Sequence, residues 1–245
     1  MRKSELKLKG IYLAYDHGME HGPTDFNTKN VSPEYILDIA RKAEVDAVVL
    51  LKGSAKNHYK KSSGVPLILK LNQKTNLYEG EPISTQVCSV KEAIKLGASA
   101  VGYAVYAGSK YEHIMLAEFG KIQEEAKKYG LPTIMWSYPR GEAIKDEESP
   151  ETIAYAARIA MEMGADVVKI KYPDDDSNLE WIVKCADKTR VFFAGGKEVS
   201  DNEFERRVEK AISAGFSGVA VGRHMWQSEN PVGRIKKIRE TINSV

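Results

Sequence analysis

Lys169 stands inside an apolar run, Asp166-Val-Val-Lys-Ile-Lys-Tyr172. If that run is a strand, its period-two alternation puts Asp166 and Val168 on one face and Val167, Lys169 and Lys171 on the other. A lysine in a strand buried on both faces is costly unless it is ion-paired or functional. A free lysine titrates near about 10.4, leaving well under about 1% as neutral amine at pH 7. Desolvation and neighbouring cations lower that value and create the nucleophile that attacks a carbonyl carbon to form a Schiff base. Lys171 fits as such a cation or as a phosphate ligand. An ion pair with Asp16 or with an acid of the same layer would satisfy Lys169 structurally, and this segment alone leaves the two readings level.

Other reactive side chains sit directly behind apolar runs. They are Asp16-His-Gly-Met-Glu-His-Gly-Pro23, Ser137-Tyr-Pro-Arg-Gly141, Ala194-Gly-Gly-Lys197 and Gly222-Arg-His224. Glycine turns at the ends of strands expose backbone N–H groups that can cradle a phosphate. Gly-Gly often marks only a tight turn. Here two such turns each carry a cation, Lys197 and Arg223, which favours phosphate. Tyr138 beside cations can move a proton, and Arg140 suits a second phosphate, although Tyr-Pro-Arg by itself is commonly a packed turn. His17 and His21 are spaced i, i+4, but the glycine between them argues against a metal-binding helix face. Asp16, His17 and His21 therefore read better as hydrogen-bond partners of a substrate than as metal ligands. No metal and no cofactor are expected.

These residues need elements to hold them. Eight short apolar runs stand out: Ile11–Tyr15, Ala47–Leu51, Pro66–Leu71, Ala98–Ala104, Leu131–Trp136, Ala165–Ile170, Val191–Ala194 and Gly218–Val221. Each reads as a strand buried on both faces. Helical patterns lie between most of them, over Pro33–Lys42, Val90–Leu96, Tyr111–Tyr129, Pro150–Met163, Asn202–Ala214 and Val232–Ile242, with Ser32 and Ser149 as N-caps. Gly97, Gly130, Gly164 and Gly215 fall between a helix and the next strand. Four strand starts share a pattern: Glu44-Val-Asp-Ala, Gly97-Ala-Ser-Ala, Gly164-Ala-Asp-Val and Gly215-Phe-Ser-Gly. Units of about 30 residues suit a (β/α)8 barrel, with the active site at the carboxyl ends of the strands. Lys52 to Lys91 is the irregular stretch in this pattern. A doubly wound open sheet would show a G-x-G-x-x-G turn after its first strand, and Tyr15-Asp-His-Gly-Met-Glu-His-Gly is not one.

Composition sets the outer limits. The chain has 245 residues with a net charge of +2, and 42% of it is hydrophobic and 29% charged, so it is neither disordered nor membrane-like. No apolar stretch approaches the roughly 18 residues of a membrane span, and Met1 to Gly10 lacks the apolar core of a signal peptide. Cys88 and Cys185 make neither a disulfide framework nor a zinc pattern. Near-neutral charge argues against a broad nucleic-acid surface. One domain spanning residues 1–245, soluble and cytoplasmic, is expected.

Tyr15-Asp-His-Gly-Met-Glu-His-Gly-Pro, Trp136-Ser-Tyr-Pro-Arg-Gly, Val168-Lys-Ile-Lys-Tyr, Ala194-Gly-Gly-Lys and Val221-Gly-Arg occur in this order along nearly the whole chain. Together they resemble the archaeal-type class I fructose-bisphosphate aldolases. The resemblance implies a (β/α)8 barrel that cleaves fructose 1,6-bisphosphate to dihydroxyacetone phosphate and glyceraldehyde 3-phosphate without metal, in glycolysis and gluconeogenesis. It implies Lys169 as the Schiff-base lysine and Tyr138 as proton donor, with Asp16 as the third catalytic group. Asp16 and His17 would contact the sugar, and His21, Asp25 and Lys171 join the substrate-binding set. Trp136 and Arg140 would line the side of the second phosphate, and Ala194, Gly195, Gly196, Gly222 and Arg223 would hold the first. The family often forms decamers, so a homo-oligomer is implied. Related Schiff-base enzymes acting on sugar phosphates compete, above all the aminodideoxyheptulosonate synthases, whose first loop lacks the Glu20-His21 pair. A non-catalytic barrel binding a sugar phosphate is a further alternative, but it has no need of Lys169 beside Tyr138.

Overall fold

The computed structural model describes residues 6–196 and 199–244. Eight strands alternate with eight principal helices. The first half runs β1 (Gly10–Tyr15), α1 (Pro33–Lys42), β2 (Ala47–Leu50), α2 (Lys52–His58), β3 (Leu67–Lys70), α3 (Val90–Lys95), β4 (Ala100–Ala107) and α4 (Glu112–Lys128). The second runs β5 (Thr133–Pro139), α5 (Pro150–Glu162), β6 (Val167–Ile170), α6 (Leu179–Ala186), β7 (Arg190–Ala194), α7 (Asp201–Ser213), β8 (Gly218–Val221) and α8 (Pro231–Ser244). Each strand pairs in parallel with the next, and β8 pairs with β1, so the sheet closes into a (β/α)8 barrel. A parallel barrel strand faces core on one side and helices on the other, which is why these segments are apolar without interruption.

The helix ends follow simple chemistry. Ser32, Ser89, Ser149 and Ser200 each accept a backbone N–H of the first turn. Gly97, Gly130, Gly164 and Gly215 all take positive φ at the reversal from helix to strand. In the first unit Glu44 makes the same reversal at φ 53°. The repeated strand-start pattern also acquires a role. Asp46 accepts the N–H of Ile11 at 2.9 Å, and Asp166 accepts that of Thr133 at 2.8 Å, so each acid closes the amino end of the preceding strand.

All eight expected strands are present. β4 and β5 begin two residues later than expected and run three further on, so that Tyr138 and Pro139 belong to β5 instead of a loop. Two helices, α2 and α6, were not expected. The first carries glycine at its second position and buries one residue, Ala55. The second follows the polar run Asp174-Asp-Asp-Ser-Asn178, which reads as loop alone. Between β3 and α3 the chain makes a small antiparallel ribbon of Asn72–Gln73 with Thr85–Gln86. No helix among the described residues is long and apolar enough to cross a membrane.

Two apolar clusters divide the protein. The larger lies between barrel and helices, and the smaller fills the barrel with Tyr12, Ala47, Val49, Ile68, Ile134, Val167, Phe192 and neighbours. Tyr12 stacks on Phe192 at 4.3 Å between centroids inside that smaller cluster. Each inward row continues by twos towards the carboxyl end of its strand. Ala14 is followed by Asp16, Ile68 by Lys70, Ala104 by Tyr106, Trp136 by Tyr138, Val167 by Lys169, Phe192 by Ala194 and Ala220 by Gly222. Except on β2, where Leu51 follows Val49, the row above the apolar fill is therefore polar, charged or very small, and it faces one space.

Candidate active site

That space is a cavity of about 430 Å³ at the carboxyl ends of the strands. Every site residue expected from sequence lines it except Asp25, while Lys197 lies outside the described residues. Glu20, Lys70, Tyr106, Glu148 and His224 also line it.

At its floor lie an acid and two lysines. Asp16 is 6% exposed and Lys169 7%. Lys70, at the end of β3, is 4% exposed and places Nζ 3.3 Å from Asp16 Oδ2. Burial opposes ionisation of Asp16, but the charges of Lys70, Lys169 and His17 outweigh it and hold the carboxyl below its usual range. Burial pulls Lys169 down to about 8, with Asp16 and Glu20 acting against that and Lys70 reinforcing it. Lys70, not Lys171, is thus the cation that acts on Lys169. Lys171 sits one inward step beyond Lys169 and pairs instead with Glu147 at 2.5 Å and Glu148 at 3.6 Å.

Trp136 is the wall between the two floor lysines. It pairs with Lys169 across β5 and β6, and its ring lies 5.5 Å from Lys169 Nζ and 5.9 Å from Lys70 Nζ. It reaches this place because β4 offers Gly102 beside it, where a Cβ would overlap the six-membered ring of the indole. Its Nε1–H is buried with no hydrogen-bond partner among the described residues, leaving a donor for a bound molecule. Gly102→Ala is expected to cost about 1–3 kcal/mol of stability through overpacking and to turn the indole away from the lysines. A urea melt and tryptophan emission read both effects. An unchanged midpoint with unchanged emission would sink this account.

Tyr138 and Arg140 occupy the next steps. Burial, followed by the Asp16 and Glu20 carboxylates, pushes the Tyr138 hydroxyl well above its usual value, so it holds its proton at neutral pH. Arg140 donates to Glu20 Oε1 at 3.1 Å and lies over the Tyr106 ring at 5.2 Å. Its loop is tied down by Glu81, which accepts the backbone N–H groups of Lys110 at 2.9 Å and Glu142 at 3.1 Å.

The opposite rim is built from β7, β8 and the segment after β1. Ala194, Gly195, Gly196 and Gly222 present little beyond backbone there. Gly222 is pressed against the chain, since a Cβ would come within 2.7 Å of the Ala14 carbonyl. His17 is stacked on Trp226 at 5.4 Å, and burial drives it down to about 4, so it is neutral near pH 7. Asp25 lies behind this rim, with Oδ2 at 3.0 Å from His21 Nδ1 and 3.4 Å from Arg223 Nη1. It orients groups that face the cavity instead of facing it.

Sequence reasoning missed Lys70 and Glu20. The signal for Lys70 was available, because it interrupts the apolar run Pro66-Leu-Ile-Leu-Lys-Leu71 as Lys169 interrupts its own. Glu20 acquires meaning only through Arg140, a partner 120 positions away.

A parallel barrel with a depressed lysine amine, a protonated tyrosine and an ionised acid at the carboxyl end of its strands belongs to the class of enzymes that work through imines of carbonyl substrates. The DeoC/LacD family aldolase profile matches residues 11–228, and the chain belongs to that family. It is 49% identical to the class 1 fructose-bisphosphate aldolase of Thermoproteus tenax over 96% of this chain and 89% of that protein. To the class 1 enzyme of Halobacterium salinarum it is 46% identical, over 96% and 90%. A solved archaeal fructose-1,6-bisphosphate aldolase, with its catalytic lysine covalently bound to the carbinolamine intermediate of the substrate, superposes with a TM-score of 0.91 at 48% identity, covering 96% of this chain and 94% of that one.

Proposed function

We propose that this protein is a class I aldolase that reversibly cleaves fructose 1,6-bisphosphate into dihydroxyacetone phosphate and glyceraldehyde 3-phosphate. The observation that carries this reading is the buried Lys169 amine, set between Asp16 and the Trp136 ring at the floor of a cavity with cations on its rims. Lys169 attacks the C2 ketone, and the carbinolamine takes up one proton from solvent as it loses water, which gives a protonated imine. As the C3–C4 bond breaks, its electrons flow into the imine to form an enamine, and the C4 hydroxyl gives its proton to ionised Asp16. Glyceraldehyde 3-phosphate leaves. Tyr138 protonates C3 and recovers its proton from Asp16, so that the net transfer is from O4 to C3. Water then hydrolyses the imine, which frees dihydroxyacetone phosphate and the Lys169 amine and returns one proton to solvent.

The arginines fix the ends of this substrate. Arg223 with the backbone of Ala194, Gly195, Gly196 and Gly222 takes one phosphate, and Arg140 takes the other. His17 and His21 serve the sugar hydroxyls, with Asp25 orienting His21 and Arg223. In the same reading the chain is one domain and a cytoplasmic homo-oligomer. The exposed rings of Tyr155 on α5 and Trp181 on α6 provide apolar surface for contact between copies.

Borohydride trapping with fructose 1,6-bisphosphate, followed by peptide mass spectrometry, tests the proposal. A reduced adduct on Lys169 is expected. Its rate should rise with pH through about 8, because burial favours the neutral amine and only that form attacks. Cleavage with no adduct at any pH would overturn the imine mechanism.

A further inference from the structure

Lys70 has no step in the scheme above, yet it is ion-paired with the carboxylate of the catalytic acid. It completes a closed ring of polar contacts. Its Nζ reaches Asp16 Oδ2 at 3.3 Å and donates to Gln73 Oε1 at 3.4 Å, and Gln73 Nε2 donates to the Asp16 carbonyl at 2.6 Å. Lys70 and Gln73 are both almost fully buried, so this ring is not a solvated surface pair.

The charges on this floor do not balance if every group is ionised. Two ammonium groups would face one carboxylate inside an apolar barrel, and an unpaired buried charge is expensive. One lysine must give up its proton readily. Lys70 has two acceptors at hand, whereas no oxygen among the described residues accepts a hydrogen bond from Lys169, and the Trp136 ring flanks both amines. The geometry therefore makes Lys70 the partner of Asp16.

We propose that Lys70 is a positioning residue whose ammonium neutralises Asp16, so that the Asp16 carboxylate does not hold a proton on Lys169. Without that ammonium, Asp16 would take Lys169 as its counter-ion, and the nucleophile would be locked as a cation. The groups that face Lys169 are consistent with this division. Asp16 beyond β1 and Glu20 from the next turn favour its charged form, and Lys70 from β3 opposes them. Tyr138 from β5 and His17 are neutral near pH 7. Arg140 is engaged by Glu20, and Lys171 by Glu147. Among the described residues, Lys70 is the charge at the floor, besides Lys169 itself, that can cancel Asp16.

The inference rests on the imine reading, so the test separates the two. Dihydroxyacetone phosphate at saturation is trapped on the protein with borohydride from pH 6 to 10, which follows imine formation without carbon–carbon cleavage. Wild type, Lys70→Met, Lys70→Gln and Lys70→Arg are compared. In the Met and Gln variants the midpoint of trapping is expected to move up by about one pH unit or more, as a nearby carboxylate typically shifts a cation. Trapping at pH 7 then falls about tenfold and recovers at pH 10. Lys70→Arg keeps the charge and should keep the wild-type midpoint, even if its plateau is lower. A reduced plateau with an unmoved midpoint in the folded Met or Gln variant would show a packing role only and overturn the inference. Absence of a Lys169 adduct in wild type would instead overturn the imine reading itself, and the inference with it.

Discussion

Lys169→Met is expected to reduce turnover of fructose 1,6-bisphosphate by at least about four orders of magnitude, because removing a covalent nucleophile removes the route and not merely a contact. Methionine keeps the length and volume of the side chain and carries no charge, so the apolar wall formed with Trp136 persists. The phosphate ends of the site are untouched. Arg223 and the glycines of the β7 and β8 rim lie on one side, and Arg140, held by Glu20, on the other. The substrate should therefore still bind and still raise the melting temperature, while borohydride leaves no adduct. Loss of binding together with turnover would mean that the substitution had disturbed the site as a whole. Turnover within tenfold of wild type would move the nucleophile to another amine. Lys171 is the first alternative, one inward step along the same strand, but its Nζ is held by Glu147 and Glu148, and attack would first have to break those contacts.

The barrel was legible in the sequence because a parallel strand covered on both faces can only be written in apolar residues. Val167-Val-Lys-Ile170 shows why the reactive lysine was legible too, since a charge in such a run must be either ion-paired or functional. Lys70 in β3 had the same signature, but it lay in a stretch without a clear helix behind it, where the alternation of elements gave no frame. The helix in that stretch, α2, buries only Ala55, so it has almost no apolar face to detect. α6 is detectable in principle through Leu179 and Ile182, but it is short and is preceded by a run of acids. Ion pairs such as Arg140–Glu20 and Arg223–Asp25 join residues 120 and 198 positions apart. No local pattern encodes them, and they exist only once the barrel has closed. For the same reason the resemblance put Asp25 in the substrate-binding set, and its position behind His21 and Arg223 emerges only from the fold.

Tyr138→Phe separates proton transfer from imine chemistry. The hydroxyl is held protonated by burial and by the Asp16 and Glu20 carboxylates, which suits a donor to C3 and not a base. Removing it is expected to lower the rate of cleavage by about 10²–10⁴-fold, the range for loss of a positioned acid or base. Imine formation needs the Lys169 amine and no proton from Tyr138, so borohydride should still trap dihydroxyacetone phosphate on Lys169 at near the wild-type rate. The ring itself stays packed against the barrel interior, and phenylalanine fits the same space. Exchange of the C3 hydrogen of dihydroxyacetone phosphate with deuterated solvent is the discriminating measurement, because it reports proton transfer at C3 without carbon–carbon cleavage, with trapping as the control for imine formation. Exchange slowed as much as cleavage places Tyr138 at C3. Unimpaired exchange with impaired cleavage would place it at the C4 hydroxyl, exchanging its role with Asp16. Loss of trapping would assign it to carbinolamine dehydration. The burial that raises the Tyr138 hydroxyl and the burial that lowers the Lys169 amine have one origin, the apolar fill beneath them, so that the same closed barrel keeps the donor protonated and brings the nucleophile down to about 8.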